Sequence, residues 1–240
     1  MAERYHVIFL FMNGNFQKIC CIIPVYQAER TILDVMLLVR KNQPQMPMIV
    51  VDDGSTDGSA AILTTVSDIV VIRHPRNHGK GAALKSGILR AKQMGFTHAI
   101  TIDADLQHPP ALITAFISRQ RQTSADLIMG ERNFAISVMP LPRILSNMIT
   151  SLMISIRIGR RIRDSQCGFR LLKIDTLEIE KYSEDGFQFE SEFLLRIPRS
   201  GFRIAGIKIP TIYQEEGSSI RNIADTVKFI FLFLKSYIWT

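Results

Sequence analysis

In Thr101-Ile102-Asp103-Ala104-Asp105-Leu106-Gln107-His108-Pro109, an apolar run meets two carboxylates separated by one residue, and a proline closes the segment. Read as a strand end, alternate side chains leave on one face, so Asp103 and Asp105 point together into the cleft at the strand's carboxyl end. Paired hard oxygen donors there suit Mg²⁺ or Mn²⁺, ions seldom caged by protein alone and commonly shared with a phosphate. The competing reading is a solvated acidic turn. A second acidic strand end lies upstream, in Met48-Ile49-Val50-Val51-Asp52-Asp53, followed by Gly54-Ser55-Thr56-Asp57-Gly58-Ser59. That pattern predicts a buried parallel strand, a glycine turn and a helix start with Ser55 or Asp57 as N-cap. Asp52 and Asp53 are suited to accept hydrogen bonds from a ribose or a base, whereas Asp57 reads as a capping residue. A third strand, Cys20-Cys21-Ile22-Ile23-Pro24-Val25, leaves through a proline toward Tyr26 and a helix beginning near Glu29.

The elements that must position these side chains follow from periodicity. Strands are expected near 18–24, 47–52, 69–73, 98–103, 125–130 and 202–212. Helices are expected near 29–41, 57–66, 80–94, 109–121, 140–159 and 174–182, with another starting at 187 and one at the C-terminus. Alternation of strand and helix through the first half predicts a single, mostly parallel sheet covered on both faces. Asn77-His78-Gly79-Lys80-Gly81 leads into the third helix and has two glycines around a lysine, without the full P-loop spacing.

Ile22-Ile23-Pro24-Val25-Tyr26, Val51-Asp52-Asp53-Gly54-Ser55 and Asp103-Ala104-Asp105, in this order and spacing, resemble the family 2 glycosyltransferases of the GT-A fold over roughly residues 18 to 225. The resemblance implies an α/β fold with one Rossmann-like sheet flanked by helices and a C-terminal helix. It divides the chain into a leader (1–17), a GT-A domain (18–222) and an apolar helix (223–240), docked or lying at a membrane interface. It implies an inverting hexosyltransferase that uses a GDP- or UDP-linked sugar and Mg²⁺ or Mn²⁺. Within the family, Asp164-Ser165-Gln166-Cys167-Gly168-Phe169-Arg170 is similar to a block of the dolichyl- and polyprenyl-phosphate sugar synthases.

Residue by residue, the resemblance assigns Asp103, Asp105 and Gln107 to the metal. It assigns Pro24, Tyr26, Glu29, Asp52, Asp53, Lys80 and Asp103 to the nucleotide sugar. Asp105, Arg132 and Asp164 carry the catalytic roles, with Asp164 either a base or an ion-pair partner of nearby arginines. Arg170 is either a surface strand residue or a phosphate contact. Glu190 and Glu192 are the other carboxylates considered as base, Glu192 alternatively facing a helix dipole. Arg132 matches an acceptor-site arginine of the lipid-phosphate enzymes. Their second arginine corresponds here to Asn147 and their loop lysine to Ser219, so Arg143 and Arg221 are the expected substitutes. The acceptor implied is a polyprenyl phosphate. The alternatives are a hydroxyl of a cell-surface glycan, or a non-catalytic nucleotide-sugar-binding subunit of a membrane complex.

Composition bounds this reading. At 240 residues and 47% hydrophobic, the chain can bury one full core. A net charge of +7, densest in Arg157-Ile158-Gly159-Arg160-Arg161-Ile162-Arg163, points to anionic partners such as nucleotides, lipid phosphates or a membrane surface. No nucleic-acid-binding signature accompanies it. Three cysteines without metal spacing fit a reducing, cytoplasmic setting at the inner face of a membrane. No segment reaches the roughly 20 apolar residues of a membrane span. The run Phe229–Trp239, apolar nearly all round and ending in aromatics, suits a docked or interfacial helix.

Overall fold

The structure, a computed structural model, describes residues 18–134, 138–198, 200–212 and 222–239. Among these residues seven strands form one sheet: β1 Ile19–Val25, β2 Met48–Asp52, β3 Ile69–Arg73, β4 His98–Thr101, β5 Leu127–Arg132, β6 Arg170–Lys173 and β7 Ile204–Ile209. Their order is β3-β2-β1-β4-β6-β5-β7. All pairings are parallel except the two made by β6, which runs against β4 and β5. The crevice beyond the carboxyl ends of β1 and β4 is the point where strand order reverses, where open α/β sheets take their ligands.

Alternation within β1 splits the core in two. Cys20 and Ile22 join the apolar layer on one face, and Cys21, Ile23 and Val25 that on the other. Helices α1 Ile32–Asn42, α2 Ser59–Thr65 and α4 Ile113–Thr123 cover the second layer. Helices α3 Lys80–Gln93, α5 Leu141–Ile158, α6 Phe189–Leu195 and α7 Asn222–Lys235 cover the first. In α1, Ile32, Val35, Met36 and Val39 are buried at the spacing of one helical face.

Pro24 is tolerated in a central strand because of where its missing donor falls. The β1–β4 register ends at Ile22 opposite Thr101, and the last bond is Ile102 N–H to Ile22 C=O. Pro24 faces that same side one step further on, where β4 has already departed. The proline therefore marks the opening of the crevice.

Three expectations are corrected. β4 stops at Thr101 rather than 103, so Asp103 and Asp105 do not alternate along a strand; they occupy a turn in which Leu106 has a left-handed φ of 61°. The helix expected over 174–182 is instead two short 3₁₀ turns, Ile174–Thr176 and Ile179–Lys181. Thr176 Oγ1 donating to Lys173 C=O closes the first locally, and local side-chain bonds of this kind compete with helix propagation. Residues 170–173, not among the expected strands, are β6. The expected polar loop at 215–221 and leader 1–17 lie outside the described residues.

Candidate active site

Two loops at the carboxyl ends of β1 and β2 are laced together. Gln27 (φ 52°) donates its N–H to Ser55 Oγ, and its Oε1 accepts from Thr56 and Asp57 N–H. Asp57 accepts from Glu29 and Ser59 N–H, but the N-cap of α2 is Gly58 without a side-chain cap, so neither Ser55 nor Asp57 caps that helix as expected. Glu29 Oε2 accepts from Gly58 N–H at 2.7 Å. Glu29 is thus committed to the latch between the loops. Tyr26 stands beside it, 49% exposed, at the mouth of the crevice.

Asp52 and Asp53 part company. Asp52 is fully buried; Oδ1 accepts from Ser55 N–H, while Oδ2 has no hydrogen-bond partner among the described residues and forms an ion pair with Arg73 Nε at 3.3 Å. The Arg73 charge offsets part of the burial of this oxygen, which keeps an acceptor position for a hydrogen-bond donor. Asp53 instead is already satisfied, accepting from the His74 ring at 2.6 Å and from His78 and Gly79 N–H. It fixes the loop that delivers Lys80 to the start of α3.

Lys80 Nζ lies 2.8 Å from Asp103 Oδ1 and 2.9 Å from Glu190 Oε1. The amine is largely enclosed, which would lower its pKa, but the two carboxylates outweigh burial and raise it. Asp103 answers in kind: burial pushes it up, and the Lys80 ammonium, with His108 and Arg132, holds it below the usual carboxylate range. Gly168 permits this approach, since a Cβ there would stand 2.6 Å from Asp103 Oδ2. Asp105 behaves oppositely. It projects toward solvent, yet desolvation by its turn and then the Asp103 carboxylate raise its pKa. Gln107 contributes its N–H to Asp105 Oδ1 at 3.0 Å.

The second cluster is built on β5 and α5. Arg132 Nε and Nη2 engage Asp164 Oδ2 and Oδ1 at 2.7 and 2.9 Å, and Arg132 N–H also donates to Oδ2. Asn147 Nδ2 completes the set at 2.7 Å from Oδ1. Burial opposes ionisation of Asp164, but the Arg132 bonds and charge outweigh it and depress its pKa. With four donors on two oxygens, Asp164 has no open acceptor position, which removes the base reading and leaves that of arginine partner. Asn147 is 1% exposed and serves the same anchor, so it does not face an acceptor. Arg143 lies half-buried in the first turn of α5, and Ser219 and Arg221 fall outside the described residues.

Three features escaped sequence reasoning. His108 Nδ1 accepts from Asp103 N–H at 3.3 Å, and burial pushes the imidazole below its ordinary value. Arg170 is 3% exposed, donating to the carbonyls of Cys167, Ser165 and Glu190. It is neither a surface residue nor a phosphate contact; it staples the 164–168 loop to α6. Glu190 pairs with Lys80 across the cleft. His108 and Asp103 lie only five residues apart and Arg170 bonds carbonyls three and five residues away, but the Lys80–Glu190 pair joins distant segments that no spacing along the chain signals.

Among the described residues no three His, Cys, Asp or Glu side chains converge on a metal position. The donor set still fits a hard divalent ion carried by a diphosphate, because such an ion takes one or two carboxylates and fills its sphere with phosphate and water. Asp105 offers the exposed carboxylate and Asp103, steadied by Lys80, stands behind it.

Comparison with known proteins bears on the family and the fold. The sequence model described as glycosyl transferase family 2 matches residues 20–177. An uncharacterized protein of Methanocaldococcus jannaschii is 31% identical, over 88% of this chain and 98% of its own length. The UDP-N-acetylglucosamine–dolichyl-phosphate N-acetylglucosaminyltransferase of Methanococcus voltae is 28% identical over 81% of this chain and 85% of its own. The undecaprenyl-phosphate mannosyltransferase of Micrococcus luteus is 26% identical over 84% and 86%. In architecture the chain is similar to glucosyl-3-phosphoglycerate synthase from Mycobacterium tuberculosis, solved with Mn²⁺, UDP and phosphoglyceric acid. The TM-score is 0.71 at 18% identity, covering 93% of this chain and 80% of that one.

Proposed function

The chain belongs to glycosyl transferase family 2, and from that premise we propose that it moves a sugar, with inversion, from a nucleotide-diphosphate sugar to a polyprenyl phosphate. The names of its relatives, which carry dolichyl phosphate and undecaprenyl phosphate, support that acceptor class.

The observation that carries the choice of acceptor is the condition of the carboxylates a hydroxyl acceptor would need. An alcohol must yield a proton to a base within reach; a phosphate oxygen is already ionised and needs only cations to place it. Asp164 and Glu192 are buried and take four donors each. Glu190 is ion-paired to Lys80. Arg132, meanwhile, is presented by Asp164 as a planar, pre-oriented cation of the kind that recognises phosphate. Arg143 is the second proposed acceptor contact.

On the donor side, Asp52 Oδ2 would accept a ring N–H of the base, a group that uracil and guanine both possess. Tyr26 and Pro24 line the base pocket, and Glu29 and Asp53 hold its loops in register. Asp103 and Asp105, with Gln107 beside them, would hold Mg²⁺ or Mn²⁺, which when bound supplies Lewis-acid neutralisation of the leaving diphosphate. Lys80 keeps Asp103 ionised and fixed. The sugar's anomeric carbon is then open to in-line approach by the phosphate on Arg132. A lipid acceptor puts this chemistry at a membrane surface, on its cytoplasmic side.

The test is transfer of labelled sugar from UDP- and GDP-sugars to a polyprenyl phosphate with Mn²⁺. The expected product is a labelled lipid released by mild acid, lost on chelation and in Asp105→Ala. A label stable to mild acid would instead indicate a glycan hydroxyl. Binding of nucleotide sugar without turnover on any lipid phosphate would indicate a non-catalytic subunit.

A further inference from the structure

The imidazole of His74 touches none of the groups assigned to chemistry above, yet it is only 15% exposed and held at both nitrogens. Its backbone N–H donates to Asp52 C=O, which roots it one residue beyond β3. Nδ1 lies 2.6 Å from Asp53 Oδ1, and Nε2 lies 2.9 Å from Ser86 Oγ. An ionised carboxylate only accepts, so the ring proton sits on Nδ1, and in the neutral ring Nε2 accepts from the Ser86 hydroxyl.

Both partners lead to α3. Gly79, its N-cap residue, has no capping side chain of its own; Asp53 supplies the acceptor from outside, taking Gly79 N–H at 2.7 Å and His78 N–H at 3.1 Å. Ser86 lies inside the same helix, six residues beyond Lys80. His74 therefore grips α3 at two points, through Asp53 at its start and directly at Ser86. One grip fixes a helix along its axis; a second, offset around the axis, also fixes its rotation. Packing leaves that rotation weakly opposed where α3 is flattest. A Cβ at Gly81 would meet Phe189 Cβ at 2.5 Å, and one at Gly87 would meet Ile22 Cγ2 at 2.5 Å, so neither contact has a side chain on α3 to interlock. With side chains reaching about 5–6 Å from a helix axis, a rotation of roughly 20° moves a side-chain tip by about 2 Å. That is enough to break the 2.8 and 2.9 Å contacts of Lys80 with Asp103 and Glu190.

We infer that His74 is a positioning residue of the candidate site: by clamping Asp53 and Ser86 together it sets the height and rotation of α3, and with them the seat of the Lys80 ammonium that anchors Asp103. The use of that seat, metal-dependent donor chemistry, rests on the functional reading above; the clamp itself does not. The two grips are unequal. The bond to Asp53 is charge-assisted and the bond to Ser86 is not, so the first holds more strongly.

Two near-isosteric variants separate the grips, because an Asn amide nitrogen falls near Nδ1 of the histidine and a Gln amide nitrogen near Nε2. The experiment is NMR of the full chain with ¹⁵N-lysine, following the Lys80 ammonium signal (assigned by its loss in Lys80→Met), together with transfer kinetics. His74→Gln should lose the Lys80 signal in a chain that still melts cooperatively. His74→Asn and Ser86→Ala keep the Asp53 grip and should broaden the signal without losing it. In kinetics, His74→Gln should raise half-saturating Mn²⁺ roughly tenfold and His74→Asn no more than about threefold, as for residues that orient a metal's carboxylate. The KM for polyprenyl phosphate should hold in both, since Arg132 is carried on β5. A Lys80 signal in His74→Gln like that of the wild type overturns the inference. So does His74→Asn proving as damaging as His74→Gln, or an acceptor KM that rises alongside the Mn²⁺ requirement, the mark of general loosening. If His74→Gln does not fold, wild-type spectra in both His74→Asn and Ser86→Ala overturn it instead. A wild-type chain without any transfer would sink the functional reading alone, and the lysine spectra would still decide the clamp.

Discussion

Asp103 shares the Lys80 ammonium with Glu190, at 2.8 and 2.9 Å, so a carboxylate at the rim of the crevice is anchored by a cation. Replacing Lys80 with Met leaves two enclosed carboxylates facing each other. Removing one partner of such a pair costs about 3 kcal/mol. The expected result is a lowered urea midpoint at neutral pH, with part of the loss recovered at low pH, where Asp103, no longer held ionised by Lys80, protonates. Unchanged stability would mean that the pair is not formed in solution.

Asp105 is raised by desolvation and by the Asp103 carboxylate, so its ionised form opposes folding. Asp105→Asn should therefore stabilise the chain by roughly 0.5 kcal/mol, a small gain because solvent screens an exposed group. The same change should abolish the additional melting shift that Mn²⁺ gives in the presence of nucleotide sugar. A destabilised variant that still responds to Mn²⁺ contradicts both halves.

Acid sensitivity follows from the depressed carboxylates. Asp103 and Asp164 have folded pKa values below their unfolded ones. The stability they contribute is complete above the unfolded value, about 4, and is lost as pH falls through the lower folded values. Urea midpoints should thus drop steeply below that pH. Asp164→Asn should cost about 3 kcal/mol at neutral pH by leaving Arg132 unpaired, and should flatten the acid limb.

Two glycines should be intolerant for different reasons. Gly54 has φ +72°, and a Cβ would lie 2.3 Å from the Arg76 carbonyl carbon, so Gly54→Ala should cost at least about 2 kcal/mol. Gly168 has no such backbone demand, but its Cβ would displace Asp103 and Lys80. Gly168→Ala should fold and lose turnover by roughly a hundredfold. Full activity in Gly168→Ala would show that Asp103 need not sit where it does.

Residue type and spacing made the crevice legible, because apolar runs ending in Pro24, Asp52 and Asp103 announce parallel strands that deliver polar groups to one rim. The pairings across the crevice were not legible. Lys80 and Asp103 are separated by 23 residues, and Arg132 and Asp164 by 32, so only the fold brings them together. Asp53 looked equivalent to Asp52 until its lone pairs were found spent on the loop before α3. Strand β6 is four residues long and too short for a periodic signal. Arg170 reads as polar surface in any sequence pattern, yet three backbone carbonyls compensate its burial.

The reversed direction of β6 has an evolutionary consequence. Running against β4, with Arg170 opposite Thr101, it begins at the very rim where β4 ends. The segment feeding it is thereby tucked under the acidic turn, with Gly168 as the point of contact. The β1–β4 side of the crevice and the β5–β6 side are consequently not interchangeable cassettes. A slip of β6 by a single position would invert which way Arg170 points and pull that glycine from beneath Asp103, so grafts between relatives should carry both halves together.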